Sequence, residues 1–307
     1  MKYRSVTISE LSDILGICPV YGTRNTNFED LDHLVIHGLN LCNHTTVFNS
    51  ILSYVTNDKF LDTIKNNPSV TALILSQQVY HNIAGYLNPD MVYFISDTPE
   101  RVFYDLHNSL WYDYDFYDHY TTDPIIGVDC NIHKSAVIEN GVIIKDRVTV
   151  GPNSVIRSGT IIESDSYIGC CSVIGSEGFQ AIRGYHKSIK HVGGTHIGAN
   201  VWIGDNTTIG NEAFEGYSEV GENTKINNHV HIAHCCKIGK NCVITASVLM
   251  MGSTKLGDNV WLAPNSVLMN KVLVEQDAFV GTMSLVTKDV PEGITVVGIP
   301  AKSWVKK

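Results

Sequence analysis

The densest group of reactive side chains in the sequence is a set of three histidines, His229, His231 and His234. A histidine can act as a general base near neutral pH because its unperturbed pKa is close to 6.5. The spacing matches none of the regular zinc motifs, so we expect no metal. Cys235, directly after His234, leaves open a covalent route through a thiolate. A further alternative is that all three histidines are exposed surface side chains without a role.

The elements that position these histidines follow from an aliphatic residue at every sixth position. These positions run from Ile126 to Ile174, from Ile197 to Ile209 and from Val220 to Val286. A period of six is typical of a parallel β-helix built from hexapeptides. Three hexapeptides per coil predict eight coils, with each inward side chain stacked on the one 18 residues away. Glycines that directly follow the inward residue, such as Gly169 and Gly204, are expected to allow the bend between faces.

The six-residue phase breaks twice. Residues 175–196 form a segment rich in Gly, His, Lys and Arg, which adds nothing to the packing of a solenoid. Loops of this kind on a rigid scaffold usually carry function, although a tolerated insertion is the alternative. Residues 210–219 form a shorter, acidic break. Here a functional loop and a tolerated insertion are equally favoured. Strand alternation then places His231 outward beside the inward Ile232, with His234 near a corner.

Residues 1–120 lack the repeat and alternate strand-like with helical stretches, which predicts a small α/β domain. Strands are expected at 71–75 and 91–95. A helix is expected to begin with Thr98 as its N-cap and Pro99 at its first position.

The predicted fold class is mainly β: a β-helix over 121–290 follows the α/β domain, and 291–307 form a C-terminal tail. The short, flat strands of such a prism leave its flanks exposed, so we expect a homotrimer.

Composition excludes several function classes. A net charge of -9 and a pI near 5.8 argue against a nucleic-acid partner. No apolar run reaches the ~18 residues of a membrane span, and the N-terminus does not resemble a signal peptide, so a cytoplasmic location is expected. Eight cysteines, with two adjacent pairs and no CxxC spacing, favour reduced thiols over a disulfide framework.

With the His-Ile-Ala-His motif at 231–234 in this setting, the chain resembles the hexapeptide acyltransferases. It resembles more closely the UDP-3-O-acylglucosamine N-acyltransferase family of lipid A synthesis. Residues 52–60 are similar to that family's uridine-binding stretch, 132–138 to the start of its β-helix and 175–179 to its substrate loop. The resemblance implies a left-handed β-helix and a nucleotide-sugar-binding role for residues 1–120.

The resemblance also implies roles for individual residues. The general base falls on His234, and Asn227 stands where the family has an aspartate that orients and stabilises the imidazole. Lys271 stands where the family has a histidine near the oxyanion or phosphate, and a lysine can serve there as a point charge. The implied substrate-binding residues are Tyr54, Asn57, Phe60, Gly178, Phe179, His186 and His231. Among these, the Asn57 amide and the Phe60 ring would contact the uracil.

The end of the sequence resembles the closing segment of hexapeptide acyltransferases that use CoA. In those enzymes the Gly-Ile-Pro-Ala-Lys turn lines the pantetheine groove, which implies cofactor-binding roles for Gly298, Ile299, Ala301 and Lys302. Lys306 and Lys307 would meet the nucleotide phosphates or form a solvated tail. The helical tail with which the lipid A family meets acyl carrier protein is expected to be missing.

We therefore expect an N-acyltransferase that uses acyl-CoA as co-substrate and acylates the amine of a dTDP- or UDP-linked amino deoxy sugar for surface polysaccharides. The alternative is the UDP-3-O-(3-hydroxyacyl)glucosamine N-acyltransferase of lipid A synthesis, with acyl carrier protein as donor. An inactive nucleotide-sugar-binding scaffold and a carbonic-anhydrase-like metalloenzyme on the same prism are further alternatives.

Overall fold

The computed structural model describes residues 4–22, 34–44 and 46–304. The chain divides into two compact units. The first contains Met1–Asp118 together with Gln180–Lys190, and the second contains His119–Phe179 and His191–Lys307. The predicted cofactor-region residues Lys306 and Lys307 lie outside the described residues.

The first unit is built on a five-stranded sheet in which three of the four neighbouring pairs are parallel. In sheet order its strands are β2 (Pro19–Tyr21), β7 (Val92–Ile95), β6 (Val70–Leu75), β5 (Ile51–Tyr54) and β4 (Gly38–Leu39). A separate antiparallel pair consists of β1 (Val6–Thr7) and β3 (Val35–Ile36). The strands expected at 71–75 and 91–95 are confirmed as β6 and β7.

The described helices of this unit range from 3 to 14 residues. The α-helices are α1 (Ile8–Leu15), α2 (Leu61–Lys65), α3 (Gln77–Ile83) and α4 (Pro99–Tyr112), and 3-10 helices lie at Asp58–Phe60 and Ala84–Tyr86. Helix α4 begins at Pro99 as expected, but the Thr98 side chain makes no capping hydrogen bond. None of the described helices has the length and apolar character that a membrane crossing requires.

The middle of the first insertion, residues 180–190, packs against α4 within the first unit. Asn108 donates its side-chain N–H to the Ser188 carbonyl (2.9 Å) and accepts the Lys190 N–H (3.0 Å). The fully buried His107 donates from Nε2 to the Lys190 carbonyl (2.8 Å), so its Nδ1 accepts from the Tyr117 hydroxyl (2.7 Å). The segment is therefore held by buried, neutral hydrogen bonds.

The second unit is a parallel β-helix of eight coils, each with one strand on each of three faces. The first face contains β10 (Val137–Ile138), β13 (Val155–Ile156), β16 (Val173–Ser176), β19 (Thr208–Gly210), β22 (His231–Ile232), β25 (Leu249–Met250), β28 (Val267–Leu268) and β31 (Leu285–Val286). The second contains β8 (Ile125–Ile126), β11 (Ile143–Ile144), β14 (Thr160–Ile162), β17 (Gly194–Ile197), β20 (Tyr217–Val220), β23 (Lys237–Ile238), β26 (Lys255–Leu256) and β29 (Leu273–Val274). The third contains β9 (Asn131–Ile132), β12 (Thr149–Val150), β15 (Tyr167–Ile168), β18 (Trp202–Ile203), β21 (Lys225–Ile226), β24 (Val243–Ile244), β27 (Trp261–Leu262), β30 (Phe279–Val280), β32 (Thr295–Val297) and β33 (Lys302–Ser303).

The strand register confirms the hexapeptide prediction. Ile138 pairs with Ile156, 18 residues away, and this spacing recurs wherever the phase is unbroken. Across the two insertions Ile197 still pairs with Ile162 on one side and with Val220 on the other. The inward aliphatic side chains form one continuous buried column, so both insertions leave the core stacking intact.

The corners are made differently from the expectation. At most corners the residue three positions after the inward aliphatic has φ between +53° and +66°, and it is commonly Asn, Asp, Ser or Cys, as at Asn265. The glycine directly after the inward residue is needed for close approach instead. A Cβ on Gly169 would lie 2.6 Å from the Gly204 carbonyl carbon of the next coil. The expectation that these glycines provide the bend was wrong.

The residues from Val290 onward close the end of the β-helix. Val290 and Val296 are buried against the core column, and Ala301 packs on it. Strand β32 continues the third face, and β33 turns back antiparallel to it.

Acid should destabilise the first unit through His107. Burial lowers its pKa to about 4, with the Lys190 hydrogen bond opposing that shift. Between pH 6.5 and 4 the unfolded chain therefore binds a proton that the folded chain does not. The free energy of unfolding should fall by about 3 kcal/mol as the pH drops through this window. Denaturant unfolding at several pH values checks this, and an unchanged pH slope in His107→Asn would contradict it.

The corner geometry predicts a second stability effect. Asn265 is exposed and has φ +58°, so replacing it with valine should cost about 1–2 kcal/mol, the penalty for a left-handed residue with a β-branched side chain. Asn265→Gly should be nearly neutral because glycine adopts this conformation freely. Urea midpoints of the two variants provide the measurement, and equal midpoints would contradict the argument.

Candidate functional site

His234 lies at the corner that follows β22, half-buried against its own coil. Its Nδ1 is 3.3 Å from the Cys235 sulfur. Burial lowers the pKa of His234, because it disfavours the charged imidazolium. The ring is therefore neutral at neutral pH, the state in which an imidazole can accept a proton.

Three glycines make room for this imidazole. A Cβ on Gly252, in the next coil, would lie 2.7 Å from His234 Nε2. A Cβ on Gly178 would lie 2.6 Å from His234 Cβ, and one on Gly210 would lie 2.9 Å from the His234 backbone nitrogen. Any side chain at these positions would displace the histidine, so the glycines define the space that it occupies.

A second histidine, His191, lies against the first. Its ring centroid is 4.9 Å from that of His234, at an interplanar angle of 64°, and the residue is buried. A Cβ on Gly178 would lie 2.5 Å from His191 Nε2, so the predicted substrate loop touches both histidines. Sequence reasoning missed His191 because it lies in the first insertion, off the hexapeptide phase.

Cys235, directly after His234, and Glu212 are both buried. Glu212, from the second insertion, is 6% exposed, and Cys235 is 7% exposed. Burial raises the pKa of both groups, and the negative charge of the Glu212 carboxylate raises that of Cys235 further. The thiol is therefore protonated at neutral pH, which argues against the thiolate route. The acidic composition of 210–219 was the only sequence signal for Glu212.

The two other predicted catalytic residues lie at different corners. Asn227 follows β21, one corner before that of His234, and its side-chain oxygen accepts the Asn228 N–H (2.7 Å). Lys271 shares the edge of His234 two coils further on, where it is exposed with φ +66°. Its backbone N–H donates to the Gly252 carbonyl (3.0 Å). One chain therefore brings Lys271, but not Asn227, to the edge that carries His234.

The predicted substrate-loop residues divide between the two units. Gly178 contacts the histidine pair, and Phe179 is 89% exposed in the second unit. His231 points outward from β22 and is exposed, as expected from strand alternation. His186 is exposed in the segment that belongs to the first unit.

The predicted base-binding residues have local structural roles in the first unit. Tyr54 donates its hydroxyl hydrogen to Glu100 (3.1 Å) and packs against Phe103, with ring centroids 5.0 Å apart. Asn57 caps the 3-10 helix by accepting the Lys59 N–H (3.1 Å). The Phe60 side chain is half-buried against the core of this unit.

Among the described residues, no group of three or more His, Cys, Asp or Glu side chains is arranged to hold a metal ion.

Two family models match the β-helix. The model "Bacterial transferase hexapeptide (six repeats)" matches residues 217–250. The model "Hexapeptide repeat of succinyl-transferase" matches residues 125–158 and 236–269.

Curated relatives match a larger part of the chain than these family models do. The UDP-3-O-acylglucosamine N-acyltransferase of Caulobacter sp. (strain K31) is 35% identical over 141 residues, which are 44% of this chain and 41% of that protein. The enzyme of the same name from Methylobacterium sp. (strain 4-46) is 40% identical over 131 residues, 42% of this chain and 37% of that protein. The chain thus spans about two fifths of the length of these relatives.

Solved structures share the fold. A UDP-N-acetylglucosamine acyltransferase from Campylobacter jejuni superimposes with a TM-score of 0.53 at 22% identity, covering 59% of this chain and 70% of that one. The enzyme from Bacteroides fragilis 9343 gives 0.52 at 24% identity, covering 61% and 71%. At these identities the likeness concerns the fold alone, the left-handed parallel β-helix.

The relatives correct two expectations. They carry the name of the enzyme that was expected as the alternative, so the expectations of acyl-CoA as donor and of an amino deoxy sugar as acceptor were wrong.

The segment assigned to CoA has a structural explanation. Gly298 donates its N–H to the Ser284 hydroxyl (3.0 Å), Ala301 donates to the Leu285 carbonyl (2.7 Å), and Lys302 pairs with Val297. With Ile299 exposed, these residues form the turn that closes the β-helix.

The eight-coil register, the matched repeats and the shared fold lead to one conclusion. The second unit is a left-handed β-helix whose hexapeptides match the repeat models of bacterial transferases over residues 125–158 and 217–269.

Proposed function

We propose that this chain is a UDP-3-O-acylglucosamine N-acyltransferase of lipid A synthesis that takes its acyl group from acyl carrier protein. The names of the relatives support the substrate, although they are matched over less than half of their length. The observation that carries the proposal is His234, a half-buried imidazole with a lowered pKa, in a space defined by glycines.

The proposed reaction is direct acyl transfer. The sugar amine attacks the thioester carbonyl while His234 takes the amine proton, and a C–N bond forms. The tetrahedral intermediate collapses, the C–S bond breaks, and the carrier thiolate leaves and takes the proton from the imidazolium. A backbone N–H stabilises the oxyanion, and the exposed Lys271 on the same edge supplies positive charge nearby.

The remaining predicted residues enter this proposal as substrate contacts. In the second unit Gly178, Phe179 and His231 are the proposed contacts of the sugar and its acyl chain. In the first unit Tyr54, Asn57, Phe60 and His186 remain proposed substrate-binding residues, with Asn57 and Phe60 as the uracil contacts. Asn227 orients a histidine only if it acts on a neighbouring subunit, since within one chain it lies at another corner of the coil.

A homotrimer in the cytoplasm is the proposed form of the enzyme. Trp202, Trp261 and Phe279 are partly exposed on the third face of the prism. Exposed aromatic side chains on one face favour burial between subunits.

The donor and acceptor test uses purified protein with UDP-3-O-acylglucosamine and either acyl-acyl carrier protein or acyl-CoA. We expect an N-acylated product, identified by mass spectrometry, with the carrier-protein donor. Nucleotide-sugar binding without transfer from either donor would support the inactive scaffold instead.

The base is tested with His234→Ala, which should lower kcat by a factor on the order of 10² or more. His229→Gln is the matched control, because His229 is an exposed histidine at the preceding corner of the same coil. Near-normal turnover in His234→Ala would contradict the assignment of His234 as the general base.

The space around the imidazole is tested with Gly252→Ala. The added methyl group would lie 2.7 Å from Nε2, so kcat should fall at least tenfold, as expected when a reacting group is displaced by about 1 Å. Gly85→Ala is the control, since nothing lies within 4 Å of a Cβ there. Equal kcat in the two variants would show that Nε2 needs no such space.

A further inference from the structure

The buried ring of His191 packs directly against the candidate base. Its centroid lies 4.9 Å from that of the His234 ring, the two rings are tilted by 64°, and 3% of His191 is exposed. Two rings in edge-to-face contact restrict each other's side-chain rotations, because a rotated ring would collide with its neighbour. The direct mechanism assigns His191 no role.

Asn211, from the second insertion, ties the backbone of His191 to the corner that carries His234. Its buried side chain donates N–H groups to the carbonyls of His191 and Gly193, each at 3.2 Å. Its own carbonyl accepts the N–H of Cys235, the residue after His234, at 3.3 Å. One residue therefore holds both histidines, so the His191 ring has a fixed place beside the imidazole.

The other neighbours of the His234 imidazole leave it little further freedom. A Cβ on Gly252 would lie 2.7 Å from Nε2 and 2.8 Å from Cε1, and the Cys235 sulfur lies 3.3 Å from Nδ1. The Gly178 backbone packs across both histidines, since a Cβ there would lie 2.5 Å from His191 Nε2 and 2.6 Å from His234 Cβ. Removal of the His191 ring would open a cavity on one side of this packing, into which the imidazole could rotate.

We propose that His191 is a positioning residue whose buried ring holds the His234 imidazole in one orientation, with Asn211 fixing the His191 backbone. This inference rests on the proposed function. His191 acts by packing and not by proton transfer, because the direct mechanism needs a single base. The two insertions then share one task, since His191 comes from the first and Asn211 from the second.

The first test varies the side chain at position 191. His191→Ala should lower kcat by about 10–100-fold, as expected when a reacting group is displaced by about 1 Å, with little change in KM. His191→Gln should retain most of the activity, because glutamine is a neutral polar side chain of similar volume. An equal loss of kcat in the two variants would overturn the inference, since it would show that the His191 imidazole itself takes part in the chemistry.

A double-mutant cycle separates positioning from general destabilisation. His234→Ala leaves no base to position, so adding His191→Ala should lower kcat little further. Losses that multiply in the double variant would overturn the inference.

Leu262→Ala is the matched control for the loss of a buried side chain. Leu262 is fully buried in the core column, on β27 of the third face. This variant should be less stable to urea but keep the kcat of the unmodified protein. A fall in kcat as large as that of His191→Ala would contradict the positioning role.

The last test does not depend on activity. In proton–carbon-13 spectra of histidine-labelled protein, the Cε1–H signal of His234 is assigned with His234→Gln. His191→Ala should shift and broaden this signal because the ring samples several orientations, and Leu262→Ala should leave it unchanged.

Asn211→Ala should shift the same signal, which keeps the test available if His191→Ala does not fold. A His234 signal of unchanged position and width in these variants would overturn the inference. Full activity of His234→Ala would instead overturn the proposed base, so the two failures are distinguishable.

Discussion

The backbone hydrogen bonds between successive coils are the constraint on which the rest of this structure depends. The Ala233 N–H donates to the Met250 carbonyl, and equivalent bonds join coil to coil along all three faces. Each bond requires the next strand to lie one coil away in register, with its aliphatic side chain directly above the last. An inward residue out of phase would break a ladder bond and leave a gap in the column, so extra residues are accommodated only where a strand ends.

This explains why the chemistry gathers at a corner. Strand residues alternate between the core and the outer face, but a corner residue such as His234 can lie along the edge of the next coil. The approach is close, and only glycine at 252 and 178 leaves the imidazole its space. The same closeness buries the ring partly and lowers its pKa, so one packing feature sets both the position and the protonation state of the candidate base.

The two insertions differ in what they contribute. The first leaves the β-helix after Phe179, and its middle part is held to α4 by His107 and Asn108. Its flanks bring Gly178 and His191 to His234. The second insertion stays within the β-helix and buries Glu212 beside Cys235. Each insertion thus supplies a part of the site that a regular hexapeptide cannot provide.

The sequence by itself determined the coil number, the register and the outward position of His231. A six-residue period leaves one stacking that buries every aliphatic side chain, and that solution is readable from spacing alone. The His-Ile-Ala-His motif and the resemblance to a known family also indicated His234 as a candidate base and 175–179 as a candidate substrate loop. Only the tertiary structure decided that His191 packs against this histidine, that Glu212 is buried in the second insertion and that Asn227 lies at another corner. It also decided that residues 298–302 close the core. These relations depend on contacts between residues in the insertions, at corners and in neighbouring coils, where no periodic pattern constrains the chain.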